Sequence, residues 1–298
     1  MPRAPTELLA PDAELIFGLV GAVGTDLRRF QGILQNQLQS CGYSSIAIKM
    51  SDLIEAGLGA SLPSPLNEAE RIRSRMKGGT ELRKKAGRGD ALAMLAIAKI
   101  ASERVYDEYK LVHQGIDPTK PGDAASLGES TKSKPLIVRK PRKRTAFILN
   151  SLKHPNEDEL LREVYGPGYY LIGVNTSHDD RVTHLTKHLS IDKEAVQGLI
   201  ETDEDEGDRF GQRMRDVYHR ADVFISFRHE EHSNRDLERF LDLVFGNPFS
   251  TPSRDEYAMF LAFASSVRSA SLARQVGAVI VSSTGEVLGI GTNDAPAP

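Results

Sequence analysis

The sequence predicts an α/β fold with a parallel sheet over residues 1 to about 250, followed by a second, smaller unit over 251 to 298. Three observations carry this. Short apolar runs alternate with longer stretches of helical periodicity. The first of those runs leads into spaced glycines and then a helix. After Thr251 the pattern changes to a small-residue helix and a hairpin. Strand–helix–strand order requires crossover connections, the signature of parallel pairing. With 298 residues, 40% of them hydrophobic, the chain can bury an ordinary core.

The elements follow in order. Glu14 to Val20 is almost wholly apolar and reads as a buried strand. Helix follows from Asp26 to about Gln39, and a second strand runs from Ser45 to Lys49. Asn67 to His113 reads as two helices broken at "KGGTELRKKAGRGD", where glycines and basic residues cluster. From about 114 to 144 apolar periodicity is lost and Pro, Gly and Ser dominate, which predicts a mobile insertion. Its end, "RKPRKR", reads as a solvated linker. Order resumes with strand Thr145 to Leu149, helix Asn156 to Tyr165 and strand Tyr169 to Val174. More helices reach His219, "ADVFISF" is the last strand, and Ser233 to Asp236 resembles a capping box opening the helix that Gly246, Asn247 and Pro248 end. "YAMFLAFASSVRSASLA" is then an apolar helix, and "QVGAVIVSSTGEVLGIGTN" two strands across the turn "SSTGE".

Composition narrows the function. A net charge of -3 gives no global attraction to nucleic acid or to acidic membranes. The single cysteine, Cys41, excludes a disulfide framework or a multi-cysteine zinc site within this chain. "MPRAPTELLAPDAE" has no signal-peptide core, and no window holds the ~20 apolar residues that span a bilayer. A cytoplasmic protein acting on small molecules, with no membrane and no direct nucleic-acid partner, is expected.

The stretch "LIFGLVGAVGTDLRRF", residues 15 to 30, is where chemistry is expected. A strand, a glycine turn and a helix N-terminus together make an anion cradle. A phosphate-transferring loop of the form G-x-x-x-x-G-K-[ST] adds a lysine for the terminal phosphates and a hydroxyl for Mg²⁺. With the last glycine set on Gly24, Leu19 stands at the first glycine, Thr25 at the lysine and Asp26 at the hydroxyl. Gly18, Gly21 and Gly24 remain, so the turn can curl round an anion without the charge that drives transfer. Gly18, Gly21, Gly24, Thr25, Asp26 and Arg181 are the candidate nucleotide- or phosphate-binding residues, with a nucleotide and Mg²⁺ as the ligands such a loop would take. A tight turn without a ligand, binding without catalysis, and an active small-molecule kinase all stay open.

Arg71, Arg73, Arg75, Arg83, Lys84, Lys85 and Arg88 surround the glycine break and either face phosphates or form a solvated helical face. In "ETDEDEG", Asp203 and Glu206 are either Mg²⁺ ligands or an exposed acidic turn. "RHEEHS" holds His229, Glu231 and His232, an H-x-E with no P-C-x-x-C after it, and reads as a surface loop.

"RDEYAMFLAFASSVRSASLARQVGAVIVSSTGEVLGIGTNDAP" resembles the opening of deoxycytidylate deaminases, the first helix and hairpin of a cytidine-deaminase-like α/β domain. "LIFGLVGAVGTDL", "RTAFILNSLKHPNEDELLREVYGPGYYLIGV" and "RADVFI" look like a degenerate, kinase-like P-loop domain. The fusion is similar to bacterial anti-phage deoxycytidine-nucleotide deaminases, which deplete the dCTP/dCMP pool. That resemblance implies a substrate pocket at Arg274, Gln275, Val276, Gly277 and Ala278, with Asn293 on the nucleoside sugar. It also implies Zn²⁺ on one His and two Cys with a proton-shuttling Glu. Those residues would follow Pro298, so the expectation is an amino-terminal portion with no catalytic residue and no metal ligand of its own. Deoxycytidine nucleotides are the implied ligands, with a homo-oligomer and a regulatory partner as implied assemblies. A nucleotide-binding regulatory module without catalysis is the competing expectation.

Overall fold

The computed structural model describes residues 12–112, 140–204, 206–228 and 230–294. The chain divides into two compact units, Met1–Leu241 and Asp242–Pro298.

The first unit is built on β1 (Leu15–Val20), β2 (Ser44–Lys49), β3 (Thr145–Asn150), β4 (Tyr169–Asn175) and β5 (Val223–Ser226), all paired parallel in the order β2-β3-β1-β4-β5. β1 lies at the centre and is buried along its whole length, which is why its sequence is a continuous apolar run rather than an alternating one. Successive side chains still point to opposite faces. Ile16 and Val20 join a core with Ile48, Phe147 and Leu149 against α2 (Leu53–Leu58), α3 (Glu68–Ala86), α4 (Ala91–Val112), α5 (Pro155–Tyr165) and α8 (Met214–Tyr218). On the other face Phe17 stacks on Tyr170 at 5.9 Å and meets Phe240 edge-on at 6.4 Å. That face is covered by α1 (Leu27–Ser40), through Phe30, Leu34 and Leu38, and by α9 (Glu230–Val244), through Leu237 and Phe240. Helices α6 (His178–Thr183) and α7 (Lys193–Glu204) complete the unit, and Leu199 and Ile200 of α7 pack with Ala69 and Met76 of α3.

A buried polar network fixes α5. Asp158, fully buried, accepts from Arg162 Nε, Arg220 Nε and the Tyr169 hydroxyl at 2.9, 2.7 and 3.2 Å. Burial, reinforced by the Asp158 charge, pushes the Tyr169 phenol well above its ordinary pKa and keeps it a donor.

The two helices part within "KGGTELRKKAGRGD" as expected, at Gly87, where φ is +64°, while α3 runs through Gly78 and Gly79 to Ala86. A Cβ on Gly78 would lie 2.9 Å from Leu62 and 3.0 Å from Ile54, so the glycine admits a neighbouring segment. The last helix of the unit begins at Glu230, before the predicted cap, and Ser233 Oγ donates to Ser226 O at 2.7 Å instead of capping. Glu231 and His232 are therefore helical rather than loop residues, and His229 lies outside the described residues. Residues 113–139, most of the predicted insertion, also lie outside them. The described end of the basic run is solvent-exposed, as expected of a solvated linker, with a surface pair from Arg144 Nε to Asp12 at 2.7 Å and a bond from Arg142 N to Glu14 at 2.8 Å.

The second unit holds α10 (Arg254–Ser266) and the antiparallel hairpin of β6 (Gly277–Val281) and β7 (Val287–Thr292). Ser253 caps α10 in a reciprocal box with Glu256. A Cβ on Gly277 would lie 1.9 Å from Ala262 O, so only glycine allows the helix this close to the strand. The predicted helix and hairpin are both present.

Candidate functional site

The glycine turn follows β1 directly. Thr25 N donates to Ala22 O at 3.0 Å across a tight turn in which Gly24 has φ +89°. A Cβ at Gly24 would meet Arg181 Cβ and O at 2.9 Å, so glycine is required twice over, by conformation and by space. Gly18 takes no part in the turn. It lies inside β1, where a Cβ would be 2.7 Å from the Tyr169 hydroxyl and 2.9 Å from Leu152. The expected three-glycine cradle is thus a turn of Gly21 and Gly24 above a packing glycine.

One donor of this turn, Val23 N, and one at the start of α1, Arg29 N, are held by carboxylates of the chain. Asp26 caps α1, accepting from Arg29 N at 3.0 Å. Asp203, at the end of α7, accepts from Val23 N through Oδ2 at 2.7 Å. Its Oδ1 accepts from Lys153 Nζ at 2.6 Å, and the same ammonium reaches Gly21 O at 2.9 Å. The Asp203 side chain is 1% exposed, which corrects the exposed-turn reading. Glu206 accepts from Thr80 Oγ1 at 2.8 Å and Gln212 N at 3.0 Å, bonds that give it a structural post. Arg181 is buried beneath the turn with Nη1 3.5 Å from Val23 O, and its Nε and Thr25 Oγ1 have no partner.

Beside the turn, at the carboxyl ends of β1, β2 and β3, lies a cleft of about 210 Å³. Ligands of open parallel sheets bind at this end of the strands. Its lining combines apolar side chains, Met50, Ile54, Ile72, Met76 and Leu92, with the cations Lys49, Arg71, Arg75, Arg83 and Lys153. The same elements supply both kinds of side chain: Lys49 and Asn150 end β2 and β3, Lys153 follows β3, and α3 presents Arg71, Arg75 and Arg83 together with Ile72 and Met76.

The cations differ in what they already hold. Arg83 is fully engaged: its side chain and that of Glu157 are 2% and 1% exposed, and the pair is closed at 2.7 Å. Arg75 donates through Nη1 to Ser51 O, Ser51 Oγ and Asp52, at 3.0, 3.0 and 2.9 Å. Arg71 donates through Nε to Glu68 at 2.7 Å. Among the described residues, the Arg71 Nη groups and Arg75 Nη2 hold no protein acceptor. Gln212, buried at the cleft, has an unpartnered Oε1. The remaining basic candidates point elsewhere: Lys84 pairs with Asp208 at 2.5 Å, Lys85 with Leu58 O at 3.0 Å and Arg88 with Asp90 at 2.7 Å. Lys153, Lys49, Asn150 and Gln212 carry no motif; the one signal for the first three is their position just where a parallel strand ends.

In the second unit Asn293 secures the loop before β6. Its Oδ1 accepts from Val276 N and Ser269 Oγ, both at 2.8 Å, and its Nδ2 donates to Arg274 O at 2.9 Å. Gly277 and Ala278 open β6, and Gln275 and Val276 precede it. Among the described residues no three His, Cys, Asp or Glu side chains converge to hold a metal, so a zinc donor set is not found there. No helix among them is long and apolar enough to cross a membrane.

No family model matches the sequence, and no curated protein does. Among solved structures the chain is similar to a shikimate kinase from Aquifex aeolicus, at 9% identity and a TM-score of 0.39 over 80% of this chain and all of that one. It is also similar to a gluconokinase from Sinorhizobium meliloti, at 12% identity and a TM-score of 0.33 over 79% of this chain and 97% of that one. A shikimate kinase from Acinetobacter baumannii gives 12% identity and a TM-score of 0.34 over 80% of this chain and 95% of that one. At this degree of superposition the neighbours' substrates transfer nothing to this chain.

Proposed function

We propose that the first unit binds a small phosphorylated molecule of the nucleotide class in the cleft at the carboxyl ends of β1, β2 and β3, and that it does not transfer phosphate. The observation that carries this is the convergence of Lys49, Arg71, Arg75 and Lys153 in a cleft that apolar side chains also line, with guanidinium N–H groups unengaged. A guanidinium fork matches phosphate oxygens, and the apolar lining suits a base or other flat moiety. Transfer is disfavoured because Thr25 stands where a loop lysine would reach the terminal phosphates. Titration with nucleoside mono- and triphosphates, read by thermal stabilisation, tests the reading. Wild type gains stability with a monophosphate, Arg71→Gln/Arg75→Gln does not, and labelled γ-phosphate stays on the nucleotide. Rapid transfer of label to a small acceptor would replace this reading with a kinase.

The second unit supports a further reading, that a longer deaminase acting on deoxycytidine nucleotides supplies zinc ligands to a pocket fronted by Arg274 to Ala278. Its support is the separate helix-and-hairpin layer with Phe260, Phe263, Ile280 and Leu288 exposed, as in a core that other protein must cover. A homo-oligomer would cover the same surface. Zinc content and ammonia release from dCMP or dCTP, measured on a protein that joins this unit to the missing zinc ligands, test this; absence of both there overturns it.

A further inference from the structure

Asp203 is 180 residues from Val23 in sequence, yet its carboxylate sits on the Val23 amide at 2.7 Å. Its other oxygen holds the Lys153 ammonium at 2.6 Å. A backbone amide of a glycine turn together with a lysine ammonium is the donor set such loops offer to phosphate. We propose that Asp203 is the resident anion of the glycine turn, a specificity-determining group that closes the turn to phosphate and leaves the adjoining cleft as the site for anionic ligands. Three features support it. The carboxylate is buried, so its charge is unscreened at the turn. It uses both oxygens, one on the turn and one on the cation, as a bridging phosphate would. Asp26 adds a second negative charge at the start of α1, where a loop-bound phosphate would otherwise meet the positive end of the helix. A triphosphate on the turn would have to expel Asp203 from two charge-assisted bonds or sit beside both carboxylates. The Lys153 ammonium, by contrast, lines the cleft and serves a ligand there without moving.

The test uses the full chain and inorganic pyrophosphate as probe, with backbone amide NMR as readout. In wild type the Val23 amide exchanges slowly with solvent in the absence of any anion and stays protected when millimolar pyrophosphate is added. In Asp203→Asn, which keeps size and an acceptor oxygen but removes the charge, the Val23 resonance shifts saturably and pyrophosphate binds at least tenfold more tightly. Rapid exchange of Val23 in wild type overturns the proposal even if the variant fails to fold. So does a Val23 shift in wild type at the concentrations that move it in the variant, or a folded variant with unchanged affinity. Val23 also lines the cleft, so the turn is judged by the difference between wild type and Asp203→Asn, and the cleft by the Arg71 and Arg75 side chains.

Discussion

Gly18 and Gly24 look alike in sequence and do different things. Gly24 holds a left-handed turn against Arg181, whereas Gly18 admits the Tyr169 hydroxyl into the sheet. Gly18→Ala therefore forces an overpacked core and lowers stability by roughly 1–3 kcal/mol, with ligand affinity unchanged once folded; chemical denaturation and a binding isotherm on the same sample check both halves. Arg83 and Glu157 give a second expectation. Both are buried, so Glu157→Ala strands the guanidinium and costs about 3–5 kcal/mol, while Arg83→Met/Glu157→Leu recovers only part of that in denaturant melts, because Glu157 also accepts from Lys153 N and His154 N. His154 caps α5, accepting from Asn156 N at 3.3 Å through Nδ1, with Nε2 3.1 Å from Arg209 O. Burial holds its pKa below the ordinary value, against the Arg209 carbonyl bond, which raises it, and Arg83 depresses it further. The unfolded chain thus takes the proton first as pH falls. The stability due to neutral His154 is fully present above about pH 6.5 and is lost as pH drops through the lowered folded value. His154→Asn keeps a capping acceptor but does not titrate, so the wild-type advantage over it in denaturant midpoint shrinks between pH 7.5 and 5.5. Asp203 stands out in sequence only as a candidate Mg²⁺ ligand and Lys153 not at all, because their meeting is made by the tertiary fold across 50 residues and leaves no spacing to read.

At the scale of elements the sequence is most informative where periodicity is strong. The five parallel strands and the hairpin follow from apolar runs, whereas the cap of α1 is seen only in the structure: Asp26→Ala removes an acceptor from Arg29 N and lowers stability by about 1 kcal/mol, measurable by thermal melting. Glycines mislead when they serve packing. Gly78 marks no helix end because Leu62 and Ile54 press on that face of α3, and tertiary contact outweighs the residue's intrinsic preference. The start of α9 was misread for a related reason. Ser233 has the residue type of a cap, but its hydroxyl satisfies the last carbonyl of β5, and α9 extends back to Glu230. Sheet order was not legible either, since five parallel strands allow several arrangements and only the packing of α1 and α9 on one face against α2 to α5 on the other selects this one.

For the whole molecule, a well-buried first unit contrasts with a second whose apolar side chains face outward. Leu288 and Ile280 are each 66% exposed, and Phe263 equally so. Such a surface favours association of copies through the second unit, which predicts concentration-dependent sedimentation that Phe260→Glu/Leu288→Glu abolishes, with the nucleotide titration of the first unit unaffected. The central claim concerns the cleft, and side-chain NMR of the arginines reads it directly. On titration of the full chain with a deoxynucleoside monophosphate, the Nε–Hε resonances of Arg71 and Arg75 and the backbone amide of Lys153 are predicted to shift together along one saturable isotherm. If those resonances stay fixed while the ligand binds, or if the shifts gather at the Gly21 to Thr25 turn instead, the cleft is not the binding site.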